Sequence, residues 1–121
     1  MKIAISSKGN TLDSELDPRF GRCAYFIIVD PDTMEWEALS NEAAQTGGGA
    51  GISAAQLIAD QKATVVITGN CGPNAFQSLR AAKVRVFTGA SGRIKDVIDH
   101  FQKGQLTEIT EPSVGPHFGM L

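Results

Sequence analysis

The chain has 121 residues, enough for one domain of ordinary size and too few for two. Hydrophobic residues make up 42% and charged residues 20%, so it can bury a core and is neither disordered nor fibrous. Eleven Lys and Arg against thirteen Asp and Glu leave a net charge of −2, without the basic excess of proteins that grip a phosphate backbone.

Lys2 to Ser6 predicts a first strand, and the polar stretch from Lys8 to Asp17 a long loop after it. That apolar start is too short for a signal-peptide core or a membrane span. A second strand is expected over Ala24 to Asp30, Pro31-Asp32-Thr33 supplies a turn, and a third strand runs from Met34 to Leu39. In the third, Met34, Trp36 and Ala38 alternate with Glu35, Glu37 and Leu39, so one face should be solvated. Gly47-Gly48-Gly49-Ala50-Gly51 then leads into a helix over Ile52 to Ala59. Thr64 to Thr68 is a β-branched run expected as a strand buried on both faces. A helix over Asn74 to Lys83, a strand over Val84 to Thr88 and a third helix with Ile94, Val97, Ile98 and Phe101 on one face complete the pattern. Gly104 is the expected C-cap of that helix.

The order β-β-β-α-β-α-β-α ends in strand–helix alternations, which require parallel pairing and right-handed crossovers. The expected fold is a three-layer α/β/α sandwich with a five-stranded mixed sheet in the order 3-2-1-4-5, strand 2 antiparallel. The nearest architecture is ribonuclease H-like. Residues 1–106 should form the single domain and 107–121 a tail, in which Pro112, Gly115, Pro116 and Gly119 break any periodicity.

In an open α/β sheet, ligands collect outside the carboxyl ends of the parallel strands. Four glycine-bearing segments should converge there: Ser7 to Cys23, Gly47 to Gly51, Gly69 to Asn74, and Gly89 to Gly92 with Ser91. Main-chain N–H groups of such loops, beside helix N-termini, favour an anionic ligand. For any one loop the plain alternative is that glycine merely makes a turn.

Gly49 to Ala54 fits the dinucleotide pattern G-x-G-x-x-A, but no parallel strand precedes it and no acid follows the next strand to hold a ribose. Nor does a nuclease centre form, since neither the first nor the fourth strand carries an acid for divalent ions. Asp13, Glu15 and Asp17 are expected to be solvated loop charge. Arg19 and Arg22, flanking Phe20-Gly21, offer fixed cationic donors for a multi-oxygen or multi-sulfur anion. One of the two is expected to pair with Asp17 instead.

Cys23 and Cys71 are too few for a disulfide scaffold and not spaced as a metal-binding pair, which points to a reducing compartment. Cys71 follows the fourth strand and precedes a helix, where the dipole would lower its pKa and favour contact with a soft metal or sulfide. A small buried apolar role is the alternative, and Cys23 is expected in the core. His100 should face solvent on its helix, His117 lies in the tail, and Trp36 is expected to pack.

Asp17-Pro18-Arg19-Phe20-Gly21-Arg22-Cys23-Ala24-Tyr25-Phe26, Thr68-Gly69-Asn70-Cys71-Gly72-Pro73-Asn74-Ala75-Phe76 and Thr88-Gly89-Ala90-Ser91-Gly92, with Met1 to Ser6, carry a likeness. Together they resemble the nitrogenase iron–molybdenum cofactor biosynthesis family, which includes NifX-like carriers and the C-terminal domain of NifB. The resemblance runs from Met1 to about Gly104. It implies a ribonuclease H-like fold and non-covalent, non-catalytic binding of an anionic molybdenum-containing metal–sulfur cluster. Within the family, the stand-alone chain looks most like a small carrier of a molybdenum–copper sulfide cluster, with a related iron–molybdenum–sulfur cluster as the other cargo. Where the family's motif commonly places His before Phe-Gly, this chain has Arg19, so no imidazole–metal bond is available there.

The expectation is therefore a cytoplasmic cluster carrier with no nucleic-acid or membrane partner. Arg19 and Arg22 would offset the cargo's charge. Donors from Gly47, Gly48, Gly49 and Gly51, from Asn70, Cys71, Gly72 and Asn74, and from Gly89, Ser91 and Gly92 would cradle it. Cys71 is the candidate metal ligand. The other reading is a metal-free regulatory or scaffold module that binds partner proteins in a cofactor-assembly or cell-division pathway. An enzyme acting on a phosphorylated substrate ranks last for want of an acid, base and nucleophile set.

Overall fold

A computed structural model describes residues 1–42 and 49–113. Along them run β1 (Ile3–Ser7), β2 (Tyr25–Val29), β3 (Trp36–Ser40), α1 (Ala50–Asp60), β4 (Val65–Ile67), α2 (Pro73–Ala81), β5 (Arg85–Thr88), α3 (Ile94–Gln102) and β6 (Thr107–Glu108). The sheet order is β3-β2-β1-β4-β5-β6. β1, β4 and β5 pair in parallel, with Ile5 beside Ile67 and Ile67 beside Phe87. β2 lies antiparallel between β1 and β3.

The first five strands keep the expected order, and the expected count of five is corrected to six. Gly104 closes α3 at φ +71, with its N–H donating to the Phe101 carbonyl and the Gln105 N–H to the His100 carbonyl. This sharp reversal brings Thr107 and Glu108 antiparallel onto β5, opposite Thr88 and Phe87. The Arg85 guanidinium clamps the Glu108 carboxylate with two bonds, of 3.1 and 2.7 Å.

Strand alternation splits the core in two. Ala4, Phe26, Ile28, Val66 and Val86 face α1 and α2, against Ala54, Ala55, Ile58, Phe76 and Leu79. Ile3, Ile5, Ile27, Val29, Val65, Ile67 and Phe87 face α3, against Ile94, Val97 and Ile98. Three layers result, with β1 and β4 buried on both faces. Each of these fully buried aliphatic side chains contributes about 1.5–3 kcal/mol relative to exposure. β3 is an edge strand: Ala38 and Leu39 pack on opposite faces while Trp36 stays 41% exposed, so the expected packing role of Trp36 is only half met.

Candidate functional site

The same alternation that buries Ala4 and Val66 on the α1/α2 side directs Ser6 and Thr68 to that side at the carboxyl ends of β1 and β4. Both hydroxyls are fully buried. The Ser6 oxygen lies 2.7 Å from the Thr68 hydroxyl and 2.6 Å from the Asp17 carbonyl oxygen, tying the long loop to the strand ends.

That loop serves two helix starts in different ways. Its first half closes α3: the Ile94 N–H donates to the Ser14 carbonyl at 2.9 Å and the Lys95 N–H to the Leu12 carbonyl at 3.0 Å, while Leu16 N–H donates to the Gly92 carbonyl at 2.8 Å. Asp96 adds a carboxylate to the first turn of α3. The Lys95 ammonium, 3.0 Å from Asp13, holds that carboxyl below the usual carboxylate range. The positive end of α3 is thus occupied by the chain itself. The Gly89–Gly92 segment belongs to this closed start, with Ala90 in the α3-side core.

The second half lies over α1 and α2. Asn70 N–H donates to the Pro18 carbonyl at 2.8 Å, and Arg19 and Asn70 form a parallel bridge. Phe20 is buried against Phe26, ring centroids 5.3 Å apart, and the Arg22 N–H closes the turn onto the Arg19 carbonyl. Gly21 sits so close that a Cβ there would come within 2.9 Å of the Gly51 nitrogen in the first turn of α1. A Cβ on Gly51 would come within 3.0 Å of the Cβ of Ala75, in the first turn of α2. Two helix starts therefore lie side by side under the Arg19–Arg22 turn. Among the described residues, no side chain caps α1 at Gly49 or α2 at Gly72, and neither first turn carries an acid. A helix start favours negative charge, and here two of them lie against the turn whose sequence carries Arg19 and Arg22.

The other expectations divide. Asp17 is 5% exposed rather than solvated, because its carboxylate accepts the Arg19 N–H at 2.9 Å and shapes the turn; Asp13 and Glu15 are solvated as expected. Arg19 Nε lies 3.5 Å from the same carboxylate, which is the loop-shaping pairing foreseen for one of the arginines. Cys23 is in the core, donating its S–H to the Phe20 carbonyl. Cys71 is 1% exposed, and burial pushes its thiol up to about 12, against the expected lowering by the helix dipole. Its amide is also engaged, donating to Ser113 Oγ at 2.8 Å. Gly49 stands at φ +73 with no described atom within 4 Å of where a Cβ would lie, and Asn74 is exposed. His100 faces solvent. Gly47, Gly48 and His117 lie outside the described residues.

Two residues escaped sequence reasoning. Asn41, 3% exposed, donates its Nδ2 to the Cys23 carbonyl at 2.9 Å and the Gly21 carbonyl at 3.3 Å, pinning the arginine turn to the end of β3. An asparagine two residues beyond the predicted third strand was its only signal. Ser113 had none.

A family model described as dinitrogenase iron-molybdenum cofactor matches residues 1–104. The uncharacterized protein MJ0580 of Methanocaldococcus jannaschii is 32% identical over 109 residues, covering 88% of this chain and 89% of its own. The apo form of the orange protein from Desulfovibrio gigas superposes with a TM-score of 0.91 at 39% identity, over 93% of this chain and 96% of that one. A proposed NifB protein from Thermotoga, TM1290, superposes with a TM-score of 0.82 at 34% identity, over 93% and 97%.

Proposed function

Because the chain belongs to the dinitrogenase iron–molybdenum cofactor family, we propose that it is a non-catalytic carrier of an anionic, molybdenum-containing metal–sulfur cluster. The observation that carries this reading is the pair of uncapped helix starts, α1 and α2, in contact beneath the Arg19–Arg22 turn. Amide and guanidinium hydrogens suit the sulfide surface of a preformed polyanion. Among the described residues, no three of His, Cys, Asp and Glu gather to hold a bare ion. A molybdenum–copper sulfide cluster is the cargo we favour, with an iron–molybdenum–sulfur cluster as its relative.

In this reading Arg19 and Arg22 offset the charge, and the backbone at Gly49, Gly51, Gly72 and Asn74 supplies the nearest donors. Gly47 and Gly48, outside the described residues, enter the reading from the sequence alone. Asn70 and Cys71 serve from the adjoining strand end, while Gly89, Ser91 and Gly92 stand further off, beside the closed start of α3. Cys71 is a late ligand at most, since a metal must first displace its proton and uncover its sulfur. Residues 1–106 would be the cluster-binding domain and 107–121 a following segment whose first two residues, Thr107 and Glu108, join its sheet as β6. The ribonuclease H-like assignment, supported by the order of the first five strands, and cytoplasmic residence belong to the same proposal. Among the described residues, no helix is long and apolar enough to cross a membrane.

Anaerobic titration with tetrathiomolybdate and copper(I) tests the reading. Uptake with a visible charge-transfer band is expected, and Arg19→Gln should weaken it more than Cys23→Ala; no uptake refutes it. The half-exposed Met34 and Trp36 beside the edge strand β3 favour one competitor, the metal-free scaffold module. Capture of a specific partner by metal-free protein, with no metal in the native complex, would decide for it.

A further inference from the structure

The segment following α3 is fixed to the domain at successive points. β6 is held by Arg85 on Glu108, and Ile109 N–H donates to the Val86 carbonyl at 2.9 Å. The Arg80 guanidinium donates to the Thr110 carbonyl at 2.9 Å. At the far end, Ser113 takes both main-chain groups of one residue. Its Oγ accepts the Cys71 N–H at 2.8 Å, and its own N–H donates to the Cys71 carbonyl at 3.0 Å, with the hydroxyl 3.3 Å from that carbonyl.

Cys71 immediately precedes Gly72, the N-cap of α2, so the amide bound by Ser113 adjoins the uncapped helix start. A neutral hydroxyl oxygen is a weaker acceptor for an N–H than an anionic atom. Ser113 is itself exposed, and the fixing points at Thr110 and β6 do not depend on it. Its end of the segment can lift while the rest stays on the sheet.

We propose that residues 107–113 form a strap whose Ser113 hydroxyl occupies the Cys71 amide in the empty carrier and competes with the cargo for it. This rests on the carrier reading above and adds to it an internal competitor that sets affinity. The chain keeps one donor of its anion site covered until an acceptor of higher charge density displaces the hydroxyl.

Two variants separate the possibilities: Ser113→Ala removes the hydroxyl and Ser113→Thr keeps it. Without ligand, the Cys71 amide should exchange with solvent about two- to tenfold faster in the alanine variant, the range set by loss of one ordinary hydrogen bond. The threonine variant should match the unaltered chain. In anaerobic titration with tetrathiomolybdate, the alanine variant should bind about two- to tenfold more tightly and the threonine variant as the unaltered chain does. Unchanged exchange in Ser113→Ala overturns the clasp. Faster exchange with equal or weaker binding overturns the competition. Failure of all three proteins to bind, with or without copper(I), overturns the carrier reading and the competition together, while the exchange rates still judge the clasp.

Discussion

Replacing Gly21 by alanine probes the contact on which the site depends. The added methyl would meet the Gly51 nitrogen at 2.9 Å, the Gly51 Cα at 3.0 Å and the Ala50 carbonyl carbon at 3.3 Å, all backbone atoms at the start of α1. Favourable contacts lie near 3.5–4.0 Å, so turn and helix must separate by about 0.6 Å. Overpacking of this kind costs about 1–3 kcal/mol, and the lost freedom of the unfolded chain returns about 0.4–1 kcal/mol. The mid-range net loss is about 1.3 kcal/mol, which at an m-value of about 1–3 kcal/mol/M should lower the urea midpoint by roughly 0.4–1.3 M. Cluster affinity should fall as well, because the same movement draws Arg19 and Arg22 off the helix starts. Gly72→Ala is the control for the stability reading alone: its Cβ would meet no described atom within 4 Å and its φ of −77 suits any residue. Urea unfolding followed by circular dichroism, with tetrathiomolybdate titration on the same samples, reads both effects. A Gly21→Ala protein as stable as the unaltered chain and equally able to bind would refute the packing argument.

Other outcomes follow from the electrostatics. Arg22→Gln should weaken tetrathiomolybdate binding roughly ten- to hundredfold, the worth of a charge-assisted hydrogen bond, with a smaller loss at high salt. Both thiols are pushed up to about 12, chiefly by burial, so iodoacetamide at pH 8 should modify neither in the folded protein and both in urea, as mass spectrometry would show. Because the folded thiols hold their protons more tightly than unfolded ones, stability should decline as pH rises above 9.0, and Cys71→Ala should flatten that decline. The hydrogen bond and charge of Arg85 hold the Glu108 carboxyl below its ordinary 4.5. The support it gives β6 is complete above that pH and lost as pH falls through the lowered value. Amide exchange at Ile109 should therefore accelerate in acid, and Glu108→Gln should abolish the dependence.

Much of the sheet was legible because its signals are local. Thr64 to Thr68 announced a strand buried on both sides, and the spacing of Ile94, Val97, Ile98 and Phe101 announced α3, whose Phe101 meets Phe87 edge-on at 5.1 Å. What escaped was decided by distant partners. Thr107-Glu108 carries no periodicity and becomes a strand only because Gly104 returns the chain to Arg85. Asp17 is buried because its N–H and its carbonyl oxygen are both taken by Ser6, in β1. For Cys71, nearness to a helix start suggested an easily ionised thiol, but the desolvation that governs it depends on packing the local sequence does not disclose. Among the described glycines, Gly51, Gly69 and Gly92 each meet the segment between β1 and β2, at Gly21, Pro18 and Leu16. That the Gly89–Gly92 loop goes to a self-sealed start and the Gly49–Gly51 and Gly69–Gly72 loops to open ones depends on which carbonyls of residues 12–16 reach which amides.

The unequal treatment of the three helices has a consequence for the life of the protein. α3 is sealed by carbonyls of the chain itself, whereas among the described residues α1 and α2 show no counterpart that would steady their first turns. In the carrier reading, cargo supplies that counterpart, so loading tightens the scaffold by mass action. The laden form should outlast the empty one under proteolysis, which would let a cell clear idle carriers while sparing those in service.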